Sequence, residues 1–136
     1  MKQVKITIQT RGKGLHPITS KIRESLSGLL GETGLLNIFI THTSASLIIQ
    51  ENADPTARQD LESFMDRLVP DDQAWHRHIL EGPDDTTSHM KSVLMQVSLN
   101  IPINSGQLAL GTWQGIYLWE HRSVPHNRNL ILTVLS

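Results

Sequence analysis

Apolar and polar residues alternate at the start of the chain and then recur at helical spacing. Val4, Ile6 and Ile8 alternate with polar neighbours, a period of two that predicts a half-buried strand. Pro17 suits the first position of a helix, and the apolar residues that follow it keep a helical repeat: Ile18, Ile22, Leu26, Leu29 and Leu30. Gly31 and Gly34 then predict the end of this first helix.

Two further helices are indicated by capping residues followed by apolar stripes. Asp54 is a suitable N-cap before Pro55, and one helical face carries Leu61, Phe64, Met65, Leu68 and Val69. Either Asp84 or Asp85 caps a third helix, whose predicted apolar face is Met90, Val93, Leu94 and Val97. The polar residues 70–83 between these helices predict a loop.

The remaining apolar segments predict strands. Residues 35–41 and 47–49 supply two of them, and further strands follow from Leu99, with turns at 104–106 and 125–127. Residues 116–119 and 130–135 are apolar at nearly every position, which predicts strands covered on both faces by helices or by a neighbouring subunit. The order of elements favours a single α+β domain over residues 1–136, with a largely antiparallel sheet and about three helices.

Composition removes several classes of function. The 136 residues contain 12 basic and 13 acidic side chains, so no basic surface for nucleic acid or an anionic membrane is expected. No cysteine is present, which excludes thiolate nucleophiles and cysteine-type zinc sites and fits a cytoplasmic protein. The alternating N-terminus is not a signal peptide, and no apolar run has the length of a membrane helix.

Side chains capable of chemistry concentrate between Gly111 and Arg122. This segment holds two of the three Trp, the single Tyr, and the sequence Glu120-His121-Arg122. Its large amphipathic side chains need partners for their polar ends when they are buried. In a regular strand His121 shares a face with Tyr117 and Trp119, whereas Glu120 and Arg122 face the other way. Glu120 and His121 are therefore not expected to form a catalytic pair.

Three histidines are the candidate metal ligands. His42 follows a strand, His89 falls in the first turn of the third helix, and His121 lies next to the last residue of the segment just described. A helix N-terminus disfavours imidazolium, which would keep His89 neutral and able to bind a metal ion. Three histidines are one ligand set of open zinc sites. The alternative is a hydrogen-bonded or solvated role for each ring, which is also our interpretation of His16, His76, His78 and His126.

Acidic and basic residues supply the remaining candidates. Asp54 has a sufficient structural role as a helix cap, whereas Glu51 and Asn52 have none in the sequence and are better candidates for binding. Lys91, Arg122 and Arg128 could meet a phosphate group. The chain has no Walker A motif, no His-Glu-x-x-His, no Gly-x-Ser-x-Gly elbow and no Rossmann fingerprint.

Together these segments resemble the YjbQ-like family, also called secondary thiamine-phosphate synthases. The similarity rests on Thr41-His-Thr-Ser-Ala45, Glu51-Asn-Ala-Asp-Pro55, Glu81-Gly-Pro-Asp-Asp85 with His89, and Gly111-Thr-Trp-Gln-Gly-Ile-Tyr-Leu118 with Glu120-His-Arg122. The spacing Ser98-x-x-Ile101-x-Ile103-x-x-Gly106-x4-Gly-Thr-Trp-Gln114 is similar to the family signature. One departure is Thr86-Thr-Ser88, where the family usually has Met, Pro and a small residue; we expect a freer loop around His89 here.

The resemblance implies a small α+β fold that assembles as a homotrimer, and members that are mostly uncharacterised. Carried over by position, it implies a pocket built from His42, Ser44, Glu51, Asn52, Asp85, His89, Trp113, Gln114, His121 and Arg122. It also strengthens the expectation of a divalent metal ion, zinc or magnesium, at His42, His89 and His121. Thiamine-phosphate synthase activity is implied as a secondary reaction.

Two hypotheses follow. The first is a metal-assisted enzyme acting on a small phosphorylated metabolite, with Glu51, Asp85 and His121 as catalytic groups. In this hypothesis the substrate-binding residues are Ser44, Asn52, Lys91, Trp113, Gln114 and Arg122. The second is a non-catalytic trimer that binds a metabolite or a protein. The first requires Glu51 and His121 for turnover, whereas the second requires them only for stability or assembly.

Overall fold

The computed structural model describes residues 1–136 and contains eight strands and three helices. In chain order these are β1 (Lys2–Thr10), β2 (Gly14–Pro17), α1 (Thr19–Ser25), β3 (Thr33–Ile40), β4 (Ala45–Glu51), α2 (Pro55–Leu68), α3 (Asp85–Leu94), β5 (Ser98–Asn104), β6 (Gln107–Leu108), β7 (Gln114–Glu120) and β8 (His126–Leu135). None of the three helices combines the length and the apolar character needed to cross a membrane.

The strands form two antiparallel sheets. The larger sheet has the order β1-β8-β3-β5-β6, and the smaller one has the order β2-β7-β4. Every pairing between these strands is antiparallel, so the predicted α+β fold with a largely antiparallel sheet is confirmed. The sequence does not predict the short strands β2 and β6. They have four and two residues, which is too few for an alternating pattern to be recognised.

The main core lies between the two sheets and beneath α1. Alternate residues of β3, β5 and β8 in the larger sheet meet residues of β4 and β7 in the smaller one, and Ile22 and Leu26 cover them from α1. A second, smaller core lies on the other face of β7, where Tyr117 and Trp119 pack with Leu15 and Met65. Strand β7 is therefore covered on both faces, as predicted. In β8 buried residues alternate with partly or fully exposed ones, so within one chain only one face of this strand is covered. For its other face the prediction leaves cover by a neighbouring subunit.

Helix α1 begins later and ends earlier than the apolar repeat predicts. Pro17 pairs with Tyr117 at the end of β2, and α1 starts at Thr19. Ser25 is its last residue, and Gly28 turns the chain with a φ of +76°. The predicted N-cap of α2 is confirmed, because the side chain of Asp54 accepts a hydrogen bond from the backbone N–H of Thr56 at 2.9 Å.

Helix α3 presents the opposite face to the protein from the one its apolar stripe predicts. Its buried residues are Asp85, Thr87, Ser88 and Lys91, whereas Val93 is 82% exposed and Leu94 is also exposed. On α2 only Met65 is buried, and Phe64 and Leu68 are exposed. The inward face of α3 is polar because its groups bond to α2, to the loop before α3 and to residues after β7. Both helices thus expose apolar side chains to the surroundings.

Candidate functional site

The candidate site is a cluster of three potential metal ligands at the start of α3. Asp85 is the first residue of the helix, and His89 follows one turn later on the same face. His78 approaches from the loop between α2 and α3. The carboxylate Oδ2 of Asp85 lies 2.5 Å from Nε2 of His78 and 3.2 Å from Nε2 of His89. One ligand atom from each residue lies within 4.8 Å of the other two.

Arg122 fixes the position of the Asp85 carboxylate. Its Nη1 donates to Oδ1 of Asp85 at 2.6 Å, its Nε donates to Oδ1 of Asp84 at 3.2 Å, and its Nη2 donates to the Glu81 carbonyl at 2.9 Å. Asp84 also accepts from the backbone N–H and the hydroxyl of Ser123. Asp84 occupies the N-cap position of α3, but its side chain makes these contacts instead of capping the helix.

Both aspartates are held as carboxylates. Burial raises the pKa of Asp85, but the hydrogen bond from His78 and the charges of His89 and Arg122 outweigh it, so its pKa lies below the usual value. Burial likewise raises the pKa of Asp84, and the bonds from Ser123 and Arg122 bring it below the usual value. A carboxylate with a lowered pKa is a poor proton donor at neutral pH and is well suited to bind a cation.

His89 is oriented by a backbone carbonyl. Its Nδ1 lies 3.0 Å from the carbonyl oxygen of Thr43, which can only accept, so Nδ1 carries a proton. In the neutral ring Nε2 then has a lone pair, and this lone pair faces Oδ2 of Asp85. Two lone pairs repel, so either a second proton or a metal ion must lie between them. Histidine ligands of metals usually donate their other ring N–H to a carbonyl or carboxylate in this way.

His121 is buried in a different polar network. It is 1% exposed, and its Nε2 lies 2.9 Å from the hydroxyl of Ser46, which in turn lies 3.2 Å from that of Ser92. Its Nδ1 is buried without a partner. Burial, followed by the charge of Lys91, lowers the pKa of His121 to about 3 and keeps the ring neutral. As predicted from strand parity, Glu120 points elsewhere and bonds to Thr10 and Arg128.

The structure does not bring His42, His89 and His121 together as the three-histidine prediction requires. Nε2 of His42 accepts the backbone N–H of Asn129 at 2.8 Å, and Nε2 of His121 bonds to Ser46. The cluster within 4.8 Å contains His78 and Asp85 instead of these two rings. Of the predicted ligands, only His89 belongs to it.

The three cations predicted to bind phosphate are already paired within the protein, and Arg128 is bound to the buried carboxylate of Glu120. Lys91 is 2% exposed, and its Nζ lies 2.7 Å from Oδ1 of Asp66 on α2. Arg122 makes the three contacts described above. Ser44 is buried, and its backbone carbonyl accepts from the N–H of His121 and from Arg128. These residues therefore have structural roles around the candidate site.

Four other predicted residues lie at the opposite end of the small sheet. Glu51, Asn52, Trp113 and Gln114 surround the end of β4 and the start of β7, whereas the residues near Asp85 lie beyond Glu120. The six-residue step from Gln114 to Glu120 corresponds to about 20 Å of strand. Within one chain the predicted pocket is thus divided into two groups.

This second group has structural roles that the sequence did not reveal. The carboxylate of Glu51 accepts the backbone N–H groups of Ala53 and Asp54, which fixes the turn into α2. The amide of Asn52 donates to the carbonyls of Thr112 and Gln114, and the side chain of Gln114 accepts from the N–H of Gly111. Trp113 is exposed.

Residues 86–88 lie within α3, so the segment expected to be a loop before His89 is helical. The N–H of Ser88 bonds to the carbonyl of Asp84 at 2.9 Å, and its hydroxyl donates to the carbonyl of Asp85 at 2.5 Å. Thr87 and Ser88 are both buried. Hydrogen bonds and burial therefore fix this turn.

His78 is the member of the site that sequence reasoning missed. It lies in a polar loop, where histidines are commonly solvated, and no local pattern links it to Asp85. The pair Asp85 and His89 did carry a signal, because a spacing of four on a helix places two side chains on one face.

Comparison with known proteins agrees with this fold. The chain matches the family described as UPF0047 protein YjbQ-like over residues 4–136, and it belongs to that family. It is 50% identical to the UPF0047 protein sll1880 of Synechocystis over 95% of this chain and 88% of that protein. It is 48% identical to the UPF0047 protein YjbQ of Salmonella typhimurium over 95% of this chain and 94% of that protein.

Solved structures with the same fold include two that cover almost the entire chain. A YjbQ/UPF0047 family protein from Clostridium acetobutylicum superposes with a TM-score of 0.87 at 30% identity, over 97% of this chain and 99% of that chain. A hypothetical protein from Aeropyrum pernix superposes with a TM-score of 0.89 at 29% identity, over 100% of this chain and 99% of that chain. The family is one of uncharacterised proteins.

Proposed function

We propose that this protein is a metal-assisted enzyme whose divalent ion binds at His78, Asp85 and His89. The observation that carries the proposal is the arrangement of His89, whose Nδ1 proton is engaged by the Thr43 carbonyl while Nε2 faces the Asp85 carboxylate. A cation between these two groups removes the repulsion of their lone pairs. The same cation would bind Nε2 of His78, which faces the same carboxylate oxygen.

The donor set fits a transition metal better than magnesium. Two imidazole nitrogens and one carboxylate oxygen are ligands that zinc and other first-row metals accept, whereas magnesium prefers oxygen ligands alone. Zinc binds nitrogen and oxygen at about 2.0–2.2 Å, so the ligand atoms of a tetrahedral site lie about 3.3–3.6 Å apart. The 3.2 Å between Nε2 of His89 and Oδ2 of Asp85 is close to this separation. Nε2 of His78, now 2.5 Å from Oδ2, would move away by about 1 Å when the ion binds. Three protein ligands leave positions open for substrate or water.

Neighbouring residues hold the proposed metal ligands in their orientation. Arg122 holds one oxygen of Asp85, so the other oxygen stays directed at the two histidines. The Thr43 carbonyl fixes the ring of His89. A bound ion would polarise a substrate oxygen or acidify a water molecule. The carboxylates of Asp84, Asp85 and Glu81 outnumber the single charge of Arg122, so the cluster is acidic and attracts a cation.

We propose a small phosphorylated metabolite as the substrate, with thiamine-phosphate synthase activity as a secondary reaction. The resemblance to the family supports this choice, and an ion with open positions suits a phosphoryl oxygen. In this proposal Glu51 and Asn52 act as positioning residues at the far end of the sheet, because their side chains hold turns. His121 is neutral and bonds to Ser46, whose hydroxyl also bonds to Ser92, so in this proposal His121 helps to hold α3 against β4.

Turnover of phosphorylated metabolites by zinc-loaded protein tests the enzyme assignment. Wild type, Asp85→Asn and His89→Ala are compared with His16→Ala, a control on β2 outside the cluster. We expect release of phosphate or diphosphate by wild type and by the control, and loss in both cluster variants. Equal turnover in the cluster variants would contradict the proposed site. The secondary reaction is tested by complementation of a thiamine-requiring strain. If His89→Ala complements as well as wild type does, thiamine-phosphate synthase activity does not use the metal cluster.

A non-catalytic trimer is the second candidate, favoured by exposed apolar side chains on α2 and α3. Phe64 is 60% exposed, and Leu68, Leu94 and, just beyond the end of α3, Val97 are also exposed. Such a surface is typical of an interface between subunits. Light scattering after gel filtration is expected to show a trimer for wild type and a monomer for Phe64→Asp. An intact trimer that neither binds zinc nor turns over any phosphorylated compound would favour the non-catalytic candidate.

A further inference from the structure

A cavity of about 460 Å³ lies beside the candidate metal site. It is lined by His42, Thr43, His89, Ser92, Val93 and Val97. The two valines give it a mostly apolar wall, and both are exposed in this chain. His89 belongs both to this cavity and to the metal cluster, so a ligand in the cavity lies next to the proposed ion. His42 lines the same cavity and has no role in the metal cluster.

The proton of the neutral His42 ring is fixed on Nδ1. The backbone N–H of Asn129 lies 2.8 Å from Nε2 of His42, and because a backbone N–H can only donate, Nε2 must offer its lone pair. Burial, followed by the charge of Arg128, lowers the pKa of His42 and favours the neutral ring. The single proton of that ring is therefore on Nδ1, and its single lone pair is already used. His42 has no lone pair left for a metal ion.

The Nδ1–H group of His42 is a free donor. Nδ1 of His42 has no hydrogen-bond partner within the protein. The buried side-chain atoms without a partner are Nε of Arg58, Nε2 of His76 and Nδ1 of His121, so Nδ1 of His42 is not a buried atom. The group is therefore accessible from outside the chain. An accessible donor of fixed tautomer beside an apolar wall is a typical recognition element of small-molecule pockets.

We infer that His42 donates its Nδ1–H to an oxyanion of a small molecule whose apolar part packs against Val93 and Val97. This inference rests on the proposed function, since it places that molecule beside the metal site, and it names the substrate class more closely. The substrate combines a phosphoryl or similar oxyanion with an apolar or aromatic group. The ring acts as a neutral donor, so it orients the ligand without adding positive charge.

A pair of matched variants separates the two nitrogens of His42. Glutamine places its amide near the position of Nε2 and can still accept from Asn129, but it lacks a donor at Nδ1. Asparagine places its amide near the position of Nδ1 and keeps the donor, but it loses the contact with Asn129. The probe is phenyl phosphate, with inorganic phosphate as the control that lacks the apolar group, and binding is measured by calorimetry on zinc-loaded protein.

We expect His42→Gln to weaken phenyl phosphate binding by roughly tenfold to a hundredfold, the effect of one hydrogen bond to a charged acceptor. His42→Asn is expected to bind nearly as well as wild type, and inorganic phosphate is expected to bind more weakly than phenyl phosphate. Nitrogen NMR of the free protein is expected to show a proton on Nδ1 of His42 and none on Nε2. Equal binding by wild type and His42→Gln, or a proton on Nε2, would overturn the inference.

The zinc content of the same samples separates this inference from the proposed function. His42→Gln is expected to hold as much zinc as wild type, because His42 is not a ligand. Loss of zinc in His42→Gln would overturn the inference and return His42 to the metal site. If wild type holds no zinc yet binds phenyl phosphate through His42, the role of His42 is supported and the metal-assisted function is contradicted.

Discussion

The buried ion pair between Glu120 and Arg128 anchors the sheets beneath the candidate site. Glu120 is 0% exposed and accepts from Nε of Arg128 at 2.8 Å, from Nη2 of Arg128, from the hydroxyl of Thr10 at 2.6 Å and from the N–H of Arg122 at 3.2 Å. These bonds join the ends of β1, β7 and β8. They also fix the backbone of Arg122, whose side chain holds Asp85.

Glu120→Gln removes the negative charge of this side chain but keeps its size and shape. Arg128, itself 3% exposed, would then be a buried cation without a counter-charge. Breaking a buried pair in this way costs about 3–5 kcal/mol. Because domains of this size unfold with about 5–15 kcal/mol, the variant is expected to lose a large share of its stability.

Urea unfolding of wild type, Glu120→Gln and the double variant Glu120→Leu/Arg128→Met measures this effect. The double variant removes both charges, so it is expected to recover much of the loss. A loss below about 1 kcal/mol in Glu120→Gln would refute the reasoning, because such a value is typical of exposed ion pairs. A double variant less stable than Glu120→Gln would show that the wider network with Thr10 and Arg122 outweighs the pair.

Three further predictions concern the fold and its dependence on pH. Burial lowers the pKa of His121 to about 3 from its ordinary value near 6.5, so the unfolded chain takes up the proton first as the pH falls. Urea unfolding at pH 7.5 and at pH 5 is therefore expected to show lower stability at pH 5, with a smaller loss in His121→Asn. Asp54→Ala removes the N-cap of α2 and is expected to lower the melting temperature, whereas Thr56→Ser, which keeps the N–H bond, is expected to leave it nearly unchanged. Gly115→Ala places a methyl group 2.9 Å from Cβ of Asn52 and is expected to cost about 1–3 kcal/mol in urea unfolding; a cost near zero would contradict this close packing.

Local patterns predicted the features that depend on neighbouring residues in the chain. Alternation at Val4, Ile6 and Ile8 predicted β1, the Asp54-Pro55 pair predicted the start of α2, and strand parity separated Glu120 from His121. Each of these is decided by side-chain direction or by hydrogen bonds within a few residues. The α+β fold could be predicted for the same reason.

The features that sequence reasoning missed depend on distant partners. The apolar stripe of α3 predicted an inward face, but the helix buries Lys91 because Asp66 of α2 supplies its counter-charge. Likewise, His78 reaches Asp85 only because the whole loop between α2 and α3 folds back on the helix. Periodicity describes one element at a time, so neither contact has a signal in the pattern of apolar and polar positions.

The most direct test of the account is the metal content of untagged protein after gel filtration. Wild type and His16→Ala are expected to hold zinc in a stoichiometric amount per chain. His89→Ala and Asp85→Asn are expected to hold none, while circular dichroism shows the same fold. Absence of any transition metal from wild type, even after incubation with zinc, would contradict the proposed site, as would full zinc retention by His89→Ala.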